Sequence, residues 1–169
     1  KVSIISRGMA LGVTWFLPEE DKHLYARSKF EDELCSLLGG YASEEIFFGE
    51  MTTGASNDLQ RATKLAHSMV TKYGMSELGP VIFGDSNEEI FLGRDFGHIK
   101  NYSEESAAKI DSLIQKIIDK AYKRTKELII KNKRLITQIA EDLIKKETLN
   151  RDEFLKYFKE KTVPKKSTV

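Results

Sequence analysis

TTGASNDLQRATKLAHSMVTKYG, residues 52–74, is the stretch on which the fold turns. Thr52–Asp58 is small, polar and turn-like. From there Leu59, Ala62, Ala66, Met69 and Tyr73 recur at three- and four-residue steps, the spacing of one helix face. Ser56 stands where an N-cap is expected, which places Asp58 in the first turn, and Gly74 suits the position just past the helix end. Small residues and a glycine let a backbone approach something closely. The unpaired N–H groups of a helix start also favour a carboxylate. Asp58 therefore has two readings: a short ionised oxygen donor on a rigid element, which suits a zinc ion, or a side chain that only offsets the helix dipole. Spacing alone favours the second.

Working outward, Ser28-Lys29-Phe30-Glu31 has the form of a capping box and predicts a helix start. Phe30, Leu34, Leu37, Leu38, Tyr41, Ala42 and Ile46 follow at helical spacing across Gly39-Gly40. Because the apolar register continues past the glycine pair, the reading there is close packing of another backbone, not a helix end. Lys1–Ser6 and Leu11–Leu17 are β-prone runs, the second alternating Leu11, Val13, Trp15 and Leu17, and together they predict a hairpin closed by Pro18. Downstream, Val81–Phe83 and Ile90–Leu92 read as short strands. Ser103 caps a long helix with Ala107, Ile110, Ile114, Ile117, Ala121, Thr125 and Leu128 as its apolar stripe. Asn132 caps another carrying Leu135, Ile136, Ile139, Ala140, Leu143 and Ile144, and Asn150 opens a last one with Phe154, Leu155 and Phe158 inside. From Thr162 the tail is polar and expected to be disordered. The fold class is mainly α, with a small β-hairpin or sheet near the N-terminus.

Composition narrows the function. At 169 residues, 40% apolar and 31% charged, the chain can bury one ordinary core. The single cysteine, Cys35, excludes an internal disulfide and any multi-cysteine zinc site, and fits a reducing compartment. No apolar run approaches the ~18 residues of a membrane span and no signal peptide opens the chain. It starts at Lys1 inside a strand pattern, which reads as a piece of something longer. The net charge of +1 argues against a dominant nucleic-acid role, although residues 1–99 carry 9 basic and 15 acidic groups and residues 100–161 carry 16 and 11. Lysines of the basic part are interleaved with acids, and Tyr122 and Tyr157 stand alone, so a solvated helical face is the better reading.

His23, His67 and His98 are far apart and none has a second histidine four residues on; HExxH, Walker and GxSxG motifs are absent. His67 follows Asp58 by nine residues, about 13 Å along a helix at 1.5 Å per residue, too far to share a metal. Glu44 and Glu45 lie near an apolar helix face, either as partners that orient a metal-bound histidine or as a solvated acidic face. A non-catalytic helical oligomerisation or interaction module is the competing function. The 103–131 helix supports it weakly, because Arg124 interrupts the apolar spacing before four heptads.

KVSIISRGMALGVTWFLPEED (1–21), GGYASEEIFFGE (39–50), TTGASNDLQRAT (52–63), MVTKYGMSELGP (69–80), FLGRD (91–95), YSEESAAKID (102–111) and ETLNRDEF (147–154) occur in this order. With them, the chain from Lys1 to about Phe158 resembles the peptidase domain of the FtsH family, membrane-anchored ATP-dependent AAA+ zinc metalloproteases. Ser6 stands where that family usually has proline, and Tyr41 and His67 where arginine is common, which puts only local packing or subunit contacts in question.

The resemblance implies that Asp58 is the third zinc ligand. The two histidine ligands and the general-base glutamate would come from an HExxH helix upstream of Lys1, so this chain alone is expected to be inactive. It implies zinc hydrolysis with one open position for water, the glutamate passing the water's proton to the leaving amine. An extended substrate would pair with a strand edge, and Gly12, Val13 and Thr14 are the candidate edge, with pairing inside the domain as the alternative. Further implications are a homo-hexameric AAA+ ring holding ATP and Mg, and a membrane anchor outside this chain. Membrane and soluble proteins would be the substrates, with no nucleic-acid partner. The expected location is the cytoplasmic face of a bacterial inner membrane or an organelle equivalent. The domain reading is a peptidase domain over 1–161, its metal-site half at 1–99 and its helical half at 100–161, followed by the tail 162–169.

Overall fold

Residues 1–5, 13–14, 24–84 and 102–159 are described by a computed structural model. Gly12, the Ile90–Leu92 strand and the tail from Thr162 lie outside the described residues. The elements are β1 (Val2–Ser3), β2 (Val13–Thr14), α1 (Arg27–Leu37), α2 (Gly39–Phe48), a 3-10 turn (Thr53–Ala55), α3 (Ser56–Thr71), α4 (Glu104–Lys131), α5 (Lys133–Lys146), β3 (Thr148–Leu149) and α6 (Arg151–Lys159). They form two compact units, one from the described parts of 1–23 and 131–169, the other from Leu24–Ile130.

In the second unit the expected stripe of α3 supplies the core. Ala62, Ala66 and Met69 are buried with Leu34, Leu37 and Leu38 from the first helical segment and Ala121 from α4. Burial of this apolar surface, at roughly 25 cal/mol per Å2, is what holds helices whose own propensity is unremarkable. Val70, Ile110 and Leu113 make a second cluster with Leu78, Phe83 and Tyr102 around it. Tyr73, expected in the stripe, is 51% exposed and instead stacks on Phe30 with ring centroids 5.3 Å apart. Along α4, Lys116, Lys120 and Arg124 at four-residue steps pair with Glu77, Glu31 and Asp32, exposed contacts that each add little.

Several local expectations change. α1 begins at Arg27 with Ala26 at the N-cap and no side-chain cap; Ser28 is already helical, and Glu31 pairs with Arg27 at 3.2 Å instead of closing a capping box. At Gly39-Gly40 no other backbone approaches: a Cβ on either glycine would meet nothing within 4 Å. The helix resets at Leu38, where ψ is −5°, and α2 resumes at once, Ala42 N–H bonding to the Leu38 carbonyl at 3.0 Å. The break consumes a single residue, which is why the apolar register survives it. Val81–Phe83 is irregular rather than a strand, and Phe83 N–H donates to the Thr71 carbonyl at 2.9 Å.

α3 ends at Thr71 with Lys72 as its C-cap, so Gly74, expected just past the helix end, stands two residues beyond that cap and turns the chain there. Its φ is +58°, and a Cβ there would sit 3.1 Å from Pro80 Cα and 3.2 Å from the Gly79 oxygen. Ser103 caps α4 as expected, its Oγ accepting from Ser106 N–H at 3.2 Å. Towards the end of α4 the buried face shifts one residue, to Ile129, leaving Leu128 exposed.

The other unit carries a three-stranded antiparallel sheet ordered β2-β1-β3. The hairpin is present, Val2 opposite Thr14 and Ser3 opposite Val13. The third strand is an addition: Val2 pairs with Leu149 and Ser3 with Thr148, their hydroxyls 2.8 Å apart, and Leu149 is fully buried. Glu147, at φ +59°, turns the chain out of α5 into that strand. Of the apolar residues read into α5 only Leu143 is buried, and Ile144 is 72% exposed. Asn150 and Glu153 cap α6 reciprocally, at 2.9 and 3.0 Å. Phe154 is half-buried, whereas Leu155 and Phe158 are exposed. Tyr157 donates to Asp142 at 2.5 Å, and this bond pushes its phenol up to about 12. Among the described residues no helix is long and apolar enough to cross a membrane.

Candidate metal site

Glu44 on α2 fixes the loop that leads to Asp58. Its Oε2 accepts the Thr52 N–H at 2.7 Å and its Oε1 accepts the Thr52 hydroxyl at 2.9 Å. The same Thr52 oxygen accepts from Gly54 N–H at 3.1 Å and so caps the 3-10 turn Thr53–Ala55. That turn runs without a break into α3. Ser56 is therefore the first helical residue and not the cap, which is Ala55, because the capping role has moved back to Thr52. Asp58 is in the first turn as expected.

The Asp58 side chain is 48% exposed and lies 3.6 Å from Arg61 Nη1, a loose pair within one helix turn. A carboxylate so placed can serve as a single oxygen donor, since little has to be given up to free it. Among the described residues no group of three His, Cys, Asp or Glu side chains comes together. Asp58 fits zinc as one member of a shared donor set and not as a site by itself. His67 is exposed further along α3, its Nδ1 3.3 Å from Thr71 Oγ1. His23 and His98 lie outside the described residues.

Glu45 faces elsewhere. It accepts from the Tyr122 hydroxyl and from Lys126 Nζ, the latter at 2.8 Å, and so ties α2 to α4. Lys126 also sits 5.4 Å from the centroid of the Tyr122 ring, and Tyr41 packs at 5.7 Å from that ring. The Lys126 bond, then the Tyr122 bond, holds the Glu45 carboxyl below its ordinary value of 4.5. Burial, then the bond to Glu45, pushes the Tyr122 phenol up.

Since the folded state lowers the Glu45 pKa, its contribution is complete above the ordinary value and is lost as pH falls through the lowered one. In Glu45→Gln the decline of the urea midpoint from about pH 5 to about pH 3 should be shallower than in the parent chain. Parallel declines would show that Glu45 contributes nothing in this window.

Val13 and Thr14 form β2, at one side of the sheet, with β1 as its partner among the described residues. Thr52, the residue that joins Glu44 to the turn, does not stand out in the sequence. Only the eight-residue separation of a carboxylate and a hydroxyl across a helix end could have suggested it.

The profile of peptidase family M41 matches residues 1–157. ATP-dependent zinc metalloprotease FtsH 1 of Thermoanaerobacter sp. (strain X514) is 51% identical over 159 residues, covering 94% of this chain and 26% of that protein. ATP-dependent zinc metalloprotease FtsH of Thermotoga maritima is 48% identical over 162 residues, 95% of this chain and 27% of its own length. The protein of the same name from Acidobacterium capsulatum is 44% identical over 164 residues, 97% of this chain and 26% of its own. The chain thus spans about a quarter of the length of these curated relatives. With the family profile covering nearly all of a mainly helical chain, and relatives of one kind along the same span, the chain belongs to peptidase family M41 and is an FtsH-type peptidase-domain sequence.

Proposed function

We propose that this chain is part of an ATP-dependent zinc metalloendopeptidase and that Asp58 supplies the third ligand of its zinc. The observation that carries the reading is a half-exposed carboxylate in the first turn of α3, at the end of a capped turn tied to Glu44. The two histidine ligands and the general-base glutamate belong to an HExxH helix upstream in the parent protein. When bound, zinc supplies a Lewis acid that acidifies water and polarises the scissile carbonyl.

This chain's own residues hold and present. Asp58 offers its carboxylate, Glu44 anchors the loop before it, and Glu45 braces α2 against α4. Gly12, Val13 and Thr14 offer main-chain groups to an extended peptide, which gives broad tolerance of substrate side chains. In the parent protein, a membrane-anchored homo-hexameric AAA+ ring using ATP and Mg feeds unfolded membrane and soluble proteins to the site. The peptidase domain lies at the cytoplasmic face of a bacterial inner membrane or its organelle counterpart.

The test is metal removal from the full-length protein. ATP-dependent casein hydrolysis should disappear after treatment with a chelator and return on adding zinc. Undiminished hydrolysis by a metal-free preparation overturns the reading.

A further inference from the structure

We propose that Thr52 is a positioning residue for the metal site: its hydroxyl relays the Glu44 carboxylate to the turn that sets Asp58, and thereby tunes zinc affinity. The proposal rests on the ligand role of Asp58 proposed above.

Three bonds meet at Thr52. Its N–H and its hydroxyl each take one oxygen of Glu44, at 2.7 and 2.9 Å, so that a single carboxylate grips one residue in a two-point, charge-assisted contact. The hydroxyl oxygen then accepts from Gly54 N–H at 3.1 Å. One atom thus donates to a fixed side chain on α2 and accepts from the backbone that leads to Asp58.

The turn continues directly into the helix. Ser56 N–H bonds to the Thr53 carbonyl, Ala55 is buried, and Asp58 follows two residues after Ser56. A rotation of the turn therefore moves the carboxylate with it. The neighbour Gly54 reports how closely the parts fit. A Cβ there would lie 3.2 Å from Thr52 Oγ1, tight enough that this oxygen must give by a few tenths of an ångström, and in ordinary contact with Glu44 Oε1 at 3.6 Å. Partners that orient metal ligands typically change affinity by 10–100-fold when removed.

The experiment uses the full-length protein, with zinc affinity measured by competition against a chelator and kcat and KM measured at saturating zinc. Thr52→Val keeps the shape and the N–H bond but removes both hydroxyl bonds, and should weaken zinc about tenfold. Thr52→Ser restores the hydroxyl and should return affinity to within about threefold of the parent, on the low side of that range. At saturating zinc Thr52→Val should regain the parent's kcat with KM unchanged, which general damage to the fold would not allow. Gly54→Ala, which crowds the clamp without deleting it, should weaken zinc in the same direction, and becomes the deciding variant if Thr52→Val does not fold.

Asp58→Ala run alongside separates the two levels. Zinc lost in Asp58→Ala but held at parental affinity in Thr52→Val and Gly54→Ala overturns the positioning role and leaves the ligand reading standing. Zinc held by Asp58→Ala overturns the ligand reading itself, and the positioning role with it.

Discussion

Replacing Asp58 by alanine in the full-length protein should strip most of its zinc and lower ATP-dependent casein hydrolysis by at least about 100-fold. The magnitude follows from the donor set. A catalytic zinc keeps three protein ligands, and the loss of a group that merely orients a ligand already costs 10–100-fold, so loss of a ligand lies at or beyond the upper end. The fold should hardly notice. Among the described residues Asp58 is half exposed and its side chain meets Arg61 in a loose contact, and surface changes of this kind stay within about 0.5 kcal/mol. Asp58→Asn, equal in shape and neutral, should fall nearly as far as alanine, because an amide oxygen is a much weaker zinc donor than a carboxylate. Metal analysis of purified protein and a far-ultraviolet spectrum decide the matter together. Parental zinc content in a folded Asp58→Ala protein removes the assignment.

The second large effect is on stability. Leu34→Ala should cost about 3–5 kcal/mol, the range for a leucine emptied from a closed core. Leu34 is fully buried in the cluster it shares with Ala62, Ala66 and Met69 of α3. The alanines opposite cannot swell to fill the space. Against a total of roughly 5–15 kcal/mol, that loss is a large share of what holds the chain folded. Ile144→Ala, at a side chain that is 72% exposed, should stay within about 0.5 kcal/mol and serves as the control. Urea midpoints at unchanged slope give both numbers. A Leu34→Ala midpoint no lower than that of Ile144→Ala would mean the buried cluster does not carry the fold.

What the sequence revealed, and what it hid, divides along the range of the interactions. The buried stripe of α3 as far as Met69, the place of Asp58 in its first turn and the Ser103 cap all rest on residues within a few positions of one another, and all are where spacing put them. The hairpin is equally local. β3 is two residues long, too short to show alternation, and its partner lies at the other end of the numbering.

The carboxylate pair shows the same limit at closer quarters. Glu44 and Glu45 read as one feature, yet adjacent helix residues do not share a face. One goes to the loop of Asp58 and the other to Tyr122 and Lys126 of α4. Likewise Gly39-Gly40 kept its apolar register because the helix was broken by only one residue, not because a neighbour pressed against it.

The sheet has a bearing on how the chain comes to be folded. β1 is its middle strand, and Ser3 is bonded to Thr148, 145 positions away. A ribosome releases residue 3 well before residue 148, so while the residues between them are made β1 has at most its hairpin partner. Closing so wide a loop carries an entropic cost that local helices never meet, and such contacts form late. The helices of Leu24–Ile130 can assemble as they emerge, whereas β1 waits, with one edge open, until residues 148 and 149 have been made. In that interval the open edge is where mispairing with another nascent chain would start.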